Sequence, residues 1–208
     1  DYVESVWNDT PYQVKIPAVT VFWIAATLGV RNFFGMMKRF SNLNELPQSL
    51  FERQITISAK VLKVHPSYNL TVSHRPWLRS AWQPTNSTTQ ADLMKNTFYV
   101  RLVGCRPLGF ENKTMNNEKT KYIESQILGR TVGVKLLSSE PTAAGGVVSY
   151  GPFRMQNLNA NLLKDGWAHH EPSKLSAGYD EQWAILSDQA RHHNKGLWGL
   201  LRSGTRRG

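Results

Sequence analysis

With 208 residues, 40% of them hydrophobic and 11% aromatic, the chain can bury one sizeable core, which excludes disorder throughout. Its 25 Lys+Arg against 15 Asp+Glu give a formal charge of +10, a balance that favours nucleic acid, acidic headgroups or acidic protein surfaces without choosing among them. A single cysteine, Cys105, excludes an internal disulfide framework and a cysteine-built zinc site, and suits a reducing compartment.

Residues 1–15 form an N-terminal extension in which Asp1, Glu4 and Asp9 outnumber the one basic residue, Lys15. From Ile16 to Met37 the chain runs 22 residues interrupted by a single charge, Arg31, and then meets Lys38-Arg39. A spanning helix needs about 20 mostly apolar residues, so residues 16–38 read as a transmembrane helix. A helix buried against the globular part is the alternative, but the run is apolar on every face rather than along a stripe. Acidic residues before the segment and basic ones after it place the C-terminal part on the cytosolic or matrix side.

A polar linker over 39–52 follows. Gln54–Val64 alternates and is rich in β-branched residues, Leu70–His74 repeats that pattern, and Pro66–Asn69 is the turn between these two strands. Residues 76–96 are an inserted loop rich in Pro, Asn, Ser and Thr, with Trp77 and Trp82 as candidate partner contacts. Thr97–Gly104 is a third strand, and Asn117–Leu128 a helix with Tyr122, Ile123, Ile127 and Leu128 at helical spacing. Thr131–Leu137 and Val147–Met155 read as two more strands around a Gly145-Gly146 turn. Helices over Asn157–Lys164 and Asp180–Asn194 complete the domain, and residues 200–208 are a basic tail with Arg206 and Arg207 as further candidate contacts. Five strands with interleaved helices give an α+β fold class: a five-stranded OB barrel.

Three segments carry a family resemblance. Leu158 to Ala168 (LNANLLKDGWA) looks like the "VN-x-x-L-V-x-x-G-L-A" helix of staphylococcal-nuclease-like domains. Ala190 to Trp198 resembles that family's closing "A-x-x-x-x-x-G-L-W", and Val100 to Gly104 is similar to its "V-R-L-x-G" strand. The resemblance covers residues 53–199. In active members it implies calcium held by aspartates, a glutamate that activates water, and two arginines on the phosphate. Arg101 matches the first arginine. Tyr68 stands where one metal aspartate belongs, Arg106 where the second belongs, and Gly109 where the glutamate belongs, with Glu111 near but out of register. Gly145-Gly146-Val147 replaces the segment that carries the second arginine.

These substitutions lead to the expectation of an inactive nuclease homologue, not an enzyme, with no catalytic residue, metal or other cofactor. Arg101 and Arg106 stand as candidate anion-binding residues, each with the alternative of a solvated or paired strand arginine. His169-His170 and His192-His193 lack the carboxylates that a metal site would add. The basic balance, an opening Asp1 in place of Met and the charge asymmetry suit a single-pass protein of the mitochondrial inner membrane with its barrel in the matrix. On that basis the expected role is a structural accessory subunit of a respiratory-chain or ATP synthase complex, with membrane subunits and lipid as partners and no small-molecule substrate. The alternative is a membrane-tethered nucleic-acid-binding protein or a residual nuclease.

Overall fold

The computed structural model describes residues 39–76, 96–108, 112–176 and 178–204. The chain divides into two units, Asp1–Lys38 and Arg39–Gly208, and the described residues belong to the second. The expected transmembrane helix over 16–38, the loop tryptophans Trp77 and Trp82, Gly109, Glu111 and the tail arginines Arg206 and Arg207 lie outside the described residues. Among those described, no helix is long and apolar enough to cross a membrane.

Strands β1 (Thr56–Val64), β2 (Asn69–His74) and β3 (Phe98–Leu102) form an antiparallel meander. Their period-2 alternation turns Ile57, Ala59, Val61, Leu70, Val72, Phe98, Val100 and Leu102 into one core. Strands β5 (Thr131–Ser139) and β6 (Ala144–Tyr150) pair with each other, β5 pairs with β1, and β6 runs parallel to β3. These pairings close a five-stranded barrel of OB type. Short strands β4 (Cys105–Arg106) and β8 (His169–His170) make a separate ribbon, and β7 (Gln156–Asn157) extends the edge of β6.

The expected Gly145-Gly146 turn is instead the start of β6, and that strand ends at Tyr150 rather than Met155. Where β6 crosses between β5 and β3, a Cβ on Gly146 would sit 2.8 Å from the Lys135 carbonyl oxygen, and one on Gly145 would collide with Ser138. These glycines therefore serve close strand approach rather than a turn. After Gly151 the chain leaves the sheet through Phe153 and Arg154, both at positive φ.

Of the helices, α1 (Gln48–Glu52) falls inside the expected linker, whose Phe40, Leu46 and Phe51 are buried in the core. Its apolar residues thus fold onto the barrel. The Phe40 amide donates to His74 Nδ1 at 3.2 Å, and Arg39 Nη2 donates to Ser73 Oγ at 3.0 Å. Helix α2 (Lys113–Ile127) begins four residues earlier than the apolar spacing suggests, because the Asn112 side chain caps it by accepting from the Met115 amide. Its inward stripe is Met115, Lys119, Ile123 and Ile127, while Leu128 is exposed. Of helices α3 (Leu158–Lys164), α4 (Asp180–His192) and α5 (Leu197–Gly204), α3 packs on β6 and α4, and α5 touches α2. Trp183 of α4 is fully buried and stacks on Tyr179 at 4.8 Å.

Candidate nucleic-acid interface

Behind the outward face of β3 one buried side chain has all its polar atoms partnered. Asn159 of α3 is fully buried; its Oδ1 accepts from the Val148 amide at 3.0 Å, and its Nδ2 donates to the carbonyls of Val103 at 2.8 Å and Gly146 at 3.3 Å. One side chain thereby ties α3 to β6 and to the end of β3. Cys105 sits beside it with its thiol directed to the Asn159 carbonyl, and burial pushes that thiol up to about 12, so it is no nucleophile at neutral pH.

On the outward side, β3 alternates so that Tyr99 and Arg101 face solvent between the buried Phe98, Val100 and Leu102. Arg101 is flanked by Asn69 of β2 and Gly145 of β6. Its Nη2 donates to Oε1 of Glu140, which stands in the turn between β5 and β6. The pair is open to water, with side-chain exposures of 50% and 29%. An ion pair so exposed holds by roughly 0–1 kcal/mol, and a phosphate offering two oxygens to the guanidinium fork can take the place of the carboxylate. Asn69 adds a buried Oδ1 with no hydrogen-bond partner among the described residues.

Arg106 is elsewhere. It lies on the β4–β8 ribbon and pairs with Glu171 at 3.3 Å, again at the surface. The two candidate anion-binding arginines thus sit in different sheets, each with its own carboxylate.

Tyr68, at the position of a metal aspartate, is turned inward at φ 59° and is 1% exposed. Its hydroxyl donates to the Trp167 carbonyl at 2.6 Å, and the ammonium of buried Lys119 lies 4.4 Å from its ring centre. A phenol committed to a carbonyl and an arginine at the second ligand position do not fit the calcium ion that the resemblance implies. Among the described residues no group of three or more His, Cys, Asp or Glu could hold a metal. Of the paired histidines, His170 is buried, 3.3 Å from both the Gly104 carbonyl and Asp180 Oδ1, while His169 Nδ1 faces Ser187 Oγ at 3.3 Å. His192 and His193 are exposed at the end of α4.

Glu140 and Tyr99 were not singled out by the motifs. The signal for Glu140 was topological: an OB barrel pairs its third and last strands, which brings the turn before the last strand to the motif arginine.

No family model matches the chain. It is similar to "Endonuclease Htp3" of Saprolegnia parasitica, 24% identical over 172 residues that cover 78% of this chain and 80% of that protein. It is 28% identical to "Probable endonuclease LCL3" of Yarrowia lipolytica, covering 77% of each, and 26% identical to the protein of the same name from Komagataella phaffii, covering 89% of this chain and 90% of that one. Among solved structures it is similar to the extended Tudor domain of Drosophila melanogaster Tudor-SN, with 17% identity, a TM-score of 0.44 and 67% of each chain covered.

These relatives overturn two expectations. They carry endonuclease names over most of their length, so neither the inactive homologue nor the respiratory-chain or ATP synthase subunit stands. Arg101, the one motif residue that the chain keeps, meets a carboxylate from outside the motif, Glu140.

Proposed function

We propose that the chain, which resembles staphylococcal-nuclease-like domains and is similar to named endonucleases, acts on nucleic acid as a phosphodiester-cleaving protein, with Arg101 as the phosphate ligand. The similarity to named endonucleases over 77–89% of this chain carries the reading. In the free protein Glu140 occupies the Arg101 guanidinium; a bound phosphodiester displaces it and leaves a carboxylate beside the reacting centre. There it serves as general base. Water gives its proton to Glu140 as its oxygen bonds to phosphorus, one P–O ester bond breaks, and the departing oxygen takes a proton from solvent. No step is routed through calcium, which the residues at the motif positions do not fit.

The test is binding and cleavage of fluorescent single- and double-stranded DNA and RNA at low salt, with and without added divalent cations. Arg101→Ala is expected to weaken binding and to reduce the slope of log affinity against log salt by roughly 1. Glu140→Gln strengthens binding, because the competing carboxylate is gone, and lowers cleavage by about 100-fold or more, the contribution of a positioned base. Wild-type protein that neither binds nor cleaves any of the four substrates would sink the reading. The tether expected at residues 16–38 is part of the same proposal: deleting residues 16–37 should release the protein from sedimenting membranes into the supernatant.

A further inference from the structure

Next to Arg101 the barrel carries a second feature that phosphate binding does not require. Tyr99, two residues before it on the same face of β3, is 48% exposed, whereas the aromatic residue beside it, Phe98, is 4% exposed. Tyr99 is not loose. The His65 ring meets it edge-on, centroids 5.6 Å apart at 68°, and His65 Nε2 is fixed by Thr71 Oγ1 at 2.8 Å. Thr71 is the cross-strand partner of Tyr99, and Lys63 is the partner of Thr71 on the next strand. One row across β1, β2 and β3 therefore reads Lys63, Thr71, Tyr99, and Arg101 stands in the next row beside Asn69.

The chemistry of this face is specific. An exposed aromatic ring, steered by a histidine and bracketed by a lysine and an arginine, offers a flat apolar surface between two cations. The charges suit a polyanion, and the ring suits a planar group carried by it. Two residues along a strand span about 6.8 Å, of the order of one nucleotide step, so a base on Tyr99 leaves a neighbouring phosphate at Arg101. Burial first, and the positive charge of Lys63 second, hold His65 below the ordinary histidine range, so its ring stays neutral at physiological pH. It supports Tyr99 as an aromatic edge rather than as a third cation.

We propose that Tyr99, buttressed by His65, is a base-stacking platform that makes this face a binding site for single-stranded nucleic acid, with Arg101 and Lys63 on the flanking phosphates. The inference rests on the nucleic-acid reading above and deepens it by naming the strandedness of the ligand. A duplex keeps its base faces stacked on one another and can use only the two cations, whereas a single strand can also lay a base on the ring.

The experiment is fluorescence anisotropy with the full chain, using a short oligothymidylate, an abasic strand of equal length, a duplex and phosphatidylserine vesicles. Wild-type protein should bind the oligothymidylate more tightly than the abasic strand. Tyr99→Ala should weaken oligothymidylate binding by about 5- to 150-fold, leave duplex and abasic binding unchanged, and keep the melting temperature of the wild type. Tyr99→Trp, which retains a stacking ring, should restore the preference. If Tyr99→Ala binds oligothymidylate as the wild type does while Arg101→Ala does not, the platform is overturned and the nucleic-acid reading survives. Loss confined to vesicle binding would overturn it in favour of a lipid surface. Wild-type protein that binds and cleaves no nucleic acid would remove both readings together.

Discussion

Asn159 and Arg101 both lie in segments that resemble the same family, and both are polar residues attached to the same barrel, yet the barrel treats them in opposite ways. Asn159 is fully buried and spends its amide on three backbone groups drawn from two strands. Arg101 is half exposed and rests on one carboxylate that water can replace. The buried amide is costly to disturb because each partner it leaves behind is stranded without water. The exposed guanidinium is cheap to disturb, which is what a ligand site needs: a partner that holds the side chain in place and yields to phosphate. Polar residues in a motif therefore divide by whether their partners could find water instead.

The largest effect tests the buried side. Asn159→Ala removes the acceptor of the Val148 amide and the donor to the Val103 and Gly146 carbonyls in a dry environment. At about 1–3 kcal/mol for each orphaned group, the loss should exceed 3 kcal/mol and bring the protein close to the limit of its stability. Urea denaturation measures it. A loss below 1 kcal/mol would mean that the three bonds do not anchor α3 and that the contrast with Arg101 is wrong.

His74 sharpens the contrast, because its partner is buried but its own bonding depends on a proton. Its Nδ1 accepts from the Phe40 amide, which requires the unprotonated ring. Burial, and then the charge of Arg39, lower it from 6.5 to about 4. The unfolded chain thus takes up a proton at His74 from pH 6.5 downward, while the folded chain resists until about 4. Its stabilisation, roughly 3 kcal/mol, is complete above pH 6.5 and is lost as the pH falls through that window. His74→Gln lacks this titration. Denaturation midpoints of the two proteins should therefore lie furthest apart at neutral pH and converge towards pH 4; a constant gap would show that His74 does not hold the chain entry at Phe40.

Much of the barrel was legible because its rules are local. Alternating β-branched residues mark β1, β2 and β3, and Asn159 with Gly166 and Trp167 marks α3 and its exit. What was not legible depends on contacts remote in sequence. Gly145 and Gly146 read as a turn because glycine favours turns, but they are strand residues where β6 passes close to β5. Asn112 lies outside the apolar spacing that marks the helix, and only the position of α2 shows that it is a cap. Glu140 is separated from Arg101 by 39 positions, and only the parallel pairing of β3 with β6 brings the two together. The aligned positions alone therefore gave no sign that a carboxylate from another turn stands against the motif arginine.

The smallest expected effect is also the most informative about the exposed side. Arg101→Ala and Glu140→Gln each break the same surface pair, and exposed pairs contribute roughly 0–1 kcal/mol, so neither variant should shift the urea midpoint measurably. Their effects on ligand must differ in sign. Losing Arg101 removes the phosphate ligand and lowers affinity; neutralising Glu140 removes the carboxylate that competes with phosphate and raises it. A structural role for the pair would instead make both variants fall together, in stability and in binding alike. Opposite shifts in affinity at unchanged stability are the result expected if the carboxylate and the phosphate contend for the one guanidinium.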